Sequence, residues 1–484
     1  MNDFLKIAWR NLWRNKRRTL ITISSVFFAT LLALVMRSFQ LGFYNYTINS
    51  VIEHFFGHIQ IQQADYFRNP SIDNVFYYSP KIKKILSTDP EIKFFIPRLQ
   101  NGVMVAHGNL TKMGIVYGIN TEKEKDFSGI NKKLAHYHID SSIVAKMNFL
   151  PPELRKQISR LYGYYASQEK MKTAFLYVSQ DFEKFMDKIY QASRISGHYI
   201  NPQDNAILIA GGLADYLGVS VGDSVILLGQ GYHGSTAIGK YRIAGILALP
   251  SPLLNNTSIY MPLSLAQKLF STYDILPNGD TASYVSYIAI NSKYQASIRP
   301  IDYVPIEKLK QKLIKEINDP DIRVLGWKDL NKSLYQQIQS DNISGQFILL
   351  IIYIVIAFGV FGTVLMMTAE RRKEFGIMLA VGMSRKKLKR IVTYEILLMS
   401  LIGILAGIIV AFPIAVYFHY HPIYLGNEMA KVYEQFNFEP YMPTKLPGTY
   451  FIIQPLVIVI MMSITSIYPL IYLSKLKIAK ALRA

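Results

Sequence analysis

Two glycine-rich phrases and two histidine pairs are the residues whose types and spacing could do chemistry. Gly229-Gln230-Gly231-Tyr232-His233-Gly234 spells G-x-G-x-x-G. After a strand and before a helix, that spacing lets backbone approach a pyrophosphate and aims a helix N-terminus at it. A strand precedes it here, but Ser235 to Leu247 reads as a turn and another strand, so a glycine-rich β-hairpin is expected and not a nucleotide site. Gly234 to Lys240 nearly spells G-x-x-x-x-G-K, yet Tyr241 stands where a Mg-binding Ser or Thr belongs and no helix follows. His136/His138 and His419/His421 each form an i, i+2 pair. Metal chelation needs further ligands at fixed spacing, so solvated loop histidines are the plainer reading. No H-E-x-x-H occurs, and the absence of cysteine excludes disulfides, thiolate catalysis and Cys-ligated metals. Asn109-Leu110-Thr111 and Asn256-Thr257-Ser258 match the glycosylation sequon, by chance if the host is bacterial. Only Glu395 is ionisable inside a long apolar run, which disfavours a membrane enzyme. The chain is expected to be non-catalytic, with no cofactor of its own.

The elements that would position such groups are dominated by membrane spans. Ile343 to Met367 contains no charge, and Ile391 to Tyr417 contains only Glu395. About 20 apolar residues cross a bilayer as a helix. Between these runs lies Glu370 to Arg390, with Arg371, Arg372, Lys373, Arg385, Lys386, Lys387, Lys389 and Arg390 against Glu370 and Glu374. Short Lys/Arg-rich loops stay cytoplasmic. Glu370 to Ala380 is expected to be helical, Gly382 breaks or caps it, and Ser384 N-caps a helix starting at Arg385.

Residues 1–18 read as an amphipathic cytoplasmic helix, with Phe4, Leu5, Ala8, Trp9 and Leu12 on one face and Lys6, Arg10 and Arg14 opposite. Trp9 and Trp13 suit a membrane interface. Residues 19–42 form the first span, uncleaved because no small-residue site follows Arg37. Arg37 either snorkels to outer headgroups or sits where the helix has left the membrane. Spans follow at 343–368, 391–418 and 450–474, separated by the cytoplasmic loop 369–390 and an external loop 419–449. The tail 475–484 carries Lys475, Lys477, Lys480 and Arg483, which place it inside. The formal charge of +20 gathers at span ends, favouring an anionic leaflet over nucleic acid as partner.

Residues 43–342 mix both charge signs with scattered Pro and Gly, as an external α+β domain does. Strands are expected at His58–Gln62, Gly102–Ala106, Lys112–Ile119, Ala206–Ala210, Ser224–Leu228, Tyr241–Leu247 and Val285–Asn291. Gly211–Leu217 reads as a helix. Ser264 is the expected N-cap of a helix ending near Phe270, and Pro305 the first turn of one reaching Ile317. Trp327–Asn342 reads as a polar helix leading into the second span. The fold class is thus a helical membrane domain of four transmembrane helices plus a large mixed α+β extracytoplasmic domain between the first two.

The loop R-R-K-E-F-G-I-M-L-A-V-G-M-S-R-K-K-L resembles the cytoplasmic loop of the FtsX-like permeases of ABC transporters, through Arg371, Arg372, Glu374, Gly376, Ala380, Gly382 and Ser384. N-L-W-R-N-K-R-R-T-L, the phrase Leu213–Val225 and the segment Tyr241–Met261 are similar to the same family. The resemblance is nearest to its lipoprotein-releasing permeases and more distant to the macrolide/peptide exporters. It implies a multi-pass protein of the inner (cytoplasmic) membrane, both termini inside. It also implies a coupling helix on a separate ATPase dimer that binds ATP and Mg, and a second permease copy, identical or a paralogue. Its ATPase-coupling residues would be Glu370, Arg371, Arg372, Lys373, Glu374, Gly376, Ala380, Gly382, Ser384 and Arg385. A lipid-anchored protein substrate would enter near Phe39, Phe43, Phe347 and Ile351. A peptide or drug exporter is the alternative. So is a non-transporting regulator of a periplasmic partner such as a cell-wall hydrolase, which would meet residues 141–196. That stretch departs from the family pattern and reads as a helical insertion without strands.

Overall fold

In the computed structural model the first apolar run becomes one helix, α2 (Lys16–Ile48), preceded by the amphipathic helix α1 (Asp3–Arg14). The structure describes residues 3–14, 16–249, 251–275, 281–294, 300–425, 441–476 and 478. The later apolar runs form α3 (Lys332–Glu370), α5 (Arg385–Tyr420) and α6 (Tyr450–Lys475), and a short helix α4 (Arg372–Ala380) joins α3 to α5. Among the described residues, α2, α3, α5 and α6 are the helices long and apolar enough to cross a membrane. The chain divides into two compact units, one of residues 1–46, 336–425 and 441–484, the other of 47–335 and 426–440. Residues 426–440 of the external loop and Lys477, Lys480 and Arg483 of the tail lie outside the described residues.

The membrane unit packs through small residues. A Cβ on Gly403 of α5 would stand 2.8 Å from both the Ile23 carbonyl oxygen and Val26 Cβ of α2; one on Gly407 would stand 2.6 Å from Thr30 Cβ. Gly-x-x-x-Gly puts both on one helix face, so backbones approach and dispersion contact replaces the hydrophobic drive that lipid cannot supply.

The second unit is built on a nine-stranded sheet. Its strands are β1 (Ile59–Gln63), β2 (Ile92–His107), β3 (Leu110–Ile119), β4 (Ala206–Ala210), β5 (Ser224–Gln230), β6 (Thr236–Leu247), β7 (Ser258–Pro262), β8 (Tyr287–Ser292) and β9 (Ile322–Gly326). The order is β9-β1-β8-β2-β3-β7-β4-β6-β5, and β5 pairs back onto β2, with Met104 opposite Leu228. The ladder from β2 round to β5 therefore closes on itself, which removes two sheet edges. Leu99, Val103, Val105, Val116, Ile209, Leu227 and Ile243 fill its core. A buried ion pair braces the middle of β2. Arg98 Nη2 lies 2.5 Å from Glu124 Oε1 and Nε 3.2 Å from Oε2, and Nη1 donates to the Phe55 carbonyl at 2.5 Å. Burial pulls the guanidinium down, but Glu124 more than restores it, so its pKa stands above its ordinary value.

Several local expectations need correction. The first helix continues past residue 42 to Ile48 because Phe43–Ile48 contains no breaker. β2 begins ten positions before Gly102, with Pro97 paired opposite Ile288 inside the strand. The helix Leu263–Phe270 starts at Pro262 with no Ser264 cap, and the helix Pro300–Ile317 holds Pro305 in its interior. Trp327–Leu330 is a separate short helix, broken at Asn331 before α3 begins. The insertion is not strand-free. Tyr137–Ile139 pairs with Gly163–Tyr165, strands too short for alternation to be legible, beside helices that share a core of Met147, Ile158, Met171, Phe175, Phe182 and Ile189.

Candidate functional site

The basic loop is shaped by three local signals. Arg371 leaves helical geometry (φ −85°, ψ 10°) and divides α3 from α4, so Glu370 ends one helix and Arg372 begins the next. The expected continuous helix from Glu370 is thus corrected to two. At the other end Gly382 takes φ +100°. Its N–H donates to the Leu379 carbonyl at 3.2 Å and the Met383 N–H to the Met378 carbonyl at 3.0 Å. This is the Schellman pattern, with glycine at the left-handed position and apolar Met378 and Met383 packing beside it. Ser384 then accepts from the Lys387 N–H at 3.4 Å and opens α5.

α4 buries Phe375, Gly376 and Leu379 and turns Lys373, Ile377 and Ala380 outward, followed by Val381, 83% exposed. Behind it lies a charge network. Glu395, on α5 and 1% exposed, accepts from Asn11 Nδ2 at 2.7 Å and pairs with the Arg371 guanidinium. Arg371 Nε also reaches Glu374 Oε2 at 3.3 Å. Glu374 pairs in turn with Arg14, and Glu370 with Arg18. Burial lowers the Arg371 pKa, but Glu395 and then Glu374 outweigh it, so the guanidinium is held charged above its ordinary value. A polar cavity of about 200 Å³ is lined by Asn11, Arg14, Thr19, Arg371, Glu374 and Glu395. Arg385 donates to the Ser474 carbonyl at 2.7 Å and the Leu476 carbonyl at 3.1 Å, capping the end of α6 where a cation also complements the helix dipole.

The short helix α4, closed at its C-terminus by the Gly382 turn, presents Lys373, Ile377 and Ala380 outward and is braced from behind by ion pairs. Of the expected coupling residues, Lys373 and Ala380 are outward, Gly382 and Ser384 set the turn, Arg372 is half-buried, and Gly376 is buried. Glu370, Arg371, Glu374 and Arg385 are engaged by their own chain. The expected entry residues lie on α2 and α3. Phe39 packs on Phe418 with ring centroids 5.5 Å apart, Phe43 lies beside Tyr44 at 6.4 Å, and Phe347 and Ile351 are 61% and 60% exposed on α3.

The histidines have protein partners. His138 stacks on Tyr164 at 3.9 Å with its Nε2 3.2 Å from Asp215, and His419 Nδ1 lies 2.7 Å from the Thr444 carbonyl. Gly231 and Gly234 sit in the turn joining β5 to β6. Sequence reasoning missed Arg14, Arg18 and Glu395 as partners of the loop, and Asn11 and Thr19 as lining of the cavity beside it. The signal for Glu395 was present: a lone carboxylate in an apolar run pairs with something, and the arginine-rich loop beside it held the candidates.

Residues 346–478 match the FtsX-like permease C-terminal family. An uncharacterized ABC transporter permease of Methanocaldococcus jannaschii, MJ1507, is 25% identical over 267 residues, which is 53% of this chain and 61% of the relative. The chain thus spans about three-fifths of that relative's length. Among solved structures, the periplasmic region of MacB from Actinobacillus actinomycetemcomitans aligns over 60% of this chain and 95% of its own, at 12% identity and a TM-score of 0.30. The extracellular domain of the noncanonic ABC-type transporter YknZ from Gram-positive bacteria aligns over 55% and 99%, at 11% identity and a TM-score of 0.28. The part of the chain that is similar to the FtsX-like permease C-terminal family therefore runs from within α3 through the capped basic loop and α5 to the end of α6.

Proposed function

We propose that this chain is the membrane subunit of an ABC transporter whose separate cytoplasmic ATPase dimer binds ATP and Mg and drives it through α4. One observation carries the reading: α4 turns Lys373, Ile377, Ala380 and Val381 outward while every acidic residue of the loop is held by an arginine of the same unit. An apolar exposed knob on a rigid mount is suited to seat in a groove of another protein. In this reading the loop and both termini are cytoplasmic, the strand-bearing unit is extracytoplasmic, and a second permease copy, identical or paralogous, completes the membrane body. The work done is the release of a lipid-anchored protein from the inner membrane. The exposed apolar stretch in the middle of α3, with Phe347, Ile351 and Val355, supports that choice over peptide or drug efflux, since an acyl chain needs an apolar path.

A second reading, a non-transporting regulator of a soluble partner, is favoured by the insertion around 141–196, which carries its own core. The test is co-expression of the full chain with candidate Walker-bearing ATPases from the same genome. Val381→Asp and Ile377→Asp are expected to abolish co-purification without altering the thermal unfolding of the chain. Retained complexes in both variants would refute the docking role. ATP-dependent release of a lipidated protein from proteoliposomes supports transport; binding of a soluble hydrolase with no release supports the regulator.

A further inference from the structure

We propose that Glu395 is a pin that makes α1 part of the same body as the loop helix α4, so that α1 relays displacement of the loop to the first span. The two oxygens of this buried carboxylate serve different elements. Oε1 accepts from Asn11 of α1 at 2.7 Å, and Oε2 takes the Arg371 guanidinium at the start of α4. Arg371 passes on to Glu374, and Glu374 to Arg14. Asn11 and Arg14 are three residues apart, hence on one helix face. The chain of contacts Asn11–Glu395–Arg371–Glu374–Arg14 is therefore a closed circuit that leaves α1 and returns to it, enclosing the polar cavity.

The physics of the circuit is unequal round its length. The Arg14–Glu374 pair is exposed and singly worth little. Glu395 is different: a carboxylate in an apolar run is tolerated only while its oxygens are paired, and removing a partner leaves the full desolvation penalty. Pulling α1 off α4 would strip one oxygen of Glu395, so the two helices move together. Thr19 of α2 reinforces the junction by donating to the Leu12 carbonyl of α1 at 2.8 Å. Since α2 begins at Lys16, two residues after α1 ends, a shift of α4 reaches the first span directly as well as through α3 and α5. Glu395 touches no substrate in this scheme; it is a positioning residue. Its mechanical consequence rests on the coupling role proposed above, but the clamp itself does not.

The chain has no cysteine, so paired labels are unambiguous. Spin labels at Arg10→Cys on α1 and Ala380→Cys on α4, both exposed, report their separation in the full chain in lipid nanodiscs. A narrow distance distribution is expected. Glu395→Gln, and independently Asn11→Ala, should raise the detached population about tenfold, the shift expected when a buried carboxylate loses one charge-assisted bond. A second pair on lipid-facing positions, Leu401→Cys of α5 and Ile460→Cys of α6, should not change. A narrow α1–α4 distance in both variants overturns the proposal. Broadening of both label pairs also overturns it, because Glu395 would then serve folding in general. No ATPase is present in this measurement, so a clamp that holds while ATPase docking fails would sink the coupling reading alone.

Discussion

Replacing Gly382 isolates the backbone's share in shaping the loop. A Cβ at this position would meet nothing within 4 Å, so no substitution there acts by collision. The cost is conformational: the residue sits at φ +100°, and an L side chain in left-handed geometry costs about 1–2 kcal/mol. Alanine recovers a few tenths of that by restricting the unfolded chain. The net for Gly382→Ala is about 1 kcal/mol, or roughly a fivefold weakening of the cap. Asparagine, which tolerates positive φ, should lose less, and a β-branched valine more. The two amides that close the cap, Gly382 to Leu379 and Met383 to Met378, are the reporters. Hydrogen exchange read by mass spectrometry over 377–388 should accelerate in the order Gly, Asn, Ala, Val, while peptides from the middle of α5 stay unchanged. ATPase stimulation in the assembled transporter should fall in the same order. Equal protection in the glycine and alanine proteins, or valine no worse than asparagine, would refute the reasoning.

Gly407→Leu should lower the unfolding temperature in detergent by the equivalent of about 1–3 kcal/mol through overpacking against Thr30, whereas Gly362→Leu, whose Cβ meets nothing, should not. Glu124→Ala leaves a fully buried Arg98 unpaired and should cost about 3–5 kcal/mol, while Arg98→Met with Glu124→Leu should be far milder; equal losses would contradict the pairing account. Burial, then the charge of Lys170, pushes the Lys133 ammonium down to about 8, so the folded chain binds fewer protons than the unfolded one between there and the ordinary value near 10.4. Its penalty is complete below the folded pKa and fades as pH rises toward the unfolded one. Lys133→Met should therefore stabilise the protein most at neutral pH and flatten its stability between about pH 8 and 10.4, as followed by denaturant unfolding across that range.

Legibility varied with the length over which each feature is encoded. The four apolar helices and the Gly382 break were visible because a run of apolar residues, or a glycine after Ala380, states its consequence within its own turns. Ends were less legible. Pro305 looked like a helix start because proline is at home there, but the helix begins at Pro300, and Pro97 hid the first half of β2. The short strands of the insertion, Tyr137–Ile139 and Gly163–Tyr165, lie too far apart for their pairing to be read from either alone. Arg385 carried a positive charge consistent with a docking loop; that it caps α6 depends on where residue 474 ends up.

By itself, then, the sequence determined the membrane-crossing helices, the basic loop with its glycine and serine punctuation, and the alternation of the main strands. Each follows from neighbours within a few turns, through burial in lipid or backbone geometry. Tertiary structure alone decided that Asn11 and Glu395, 384 positions apart, share a hydrogen bond, and that Arg14 finds Glu374 across 360. It alone decided that β5 returns to close on β2. Contacts between distant segments leave no period or spacing in the chain; they exist only once packing has brought a buried carboxylate within reach of the donors it requires.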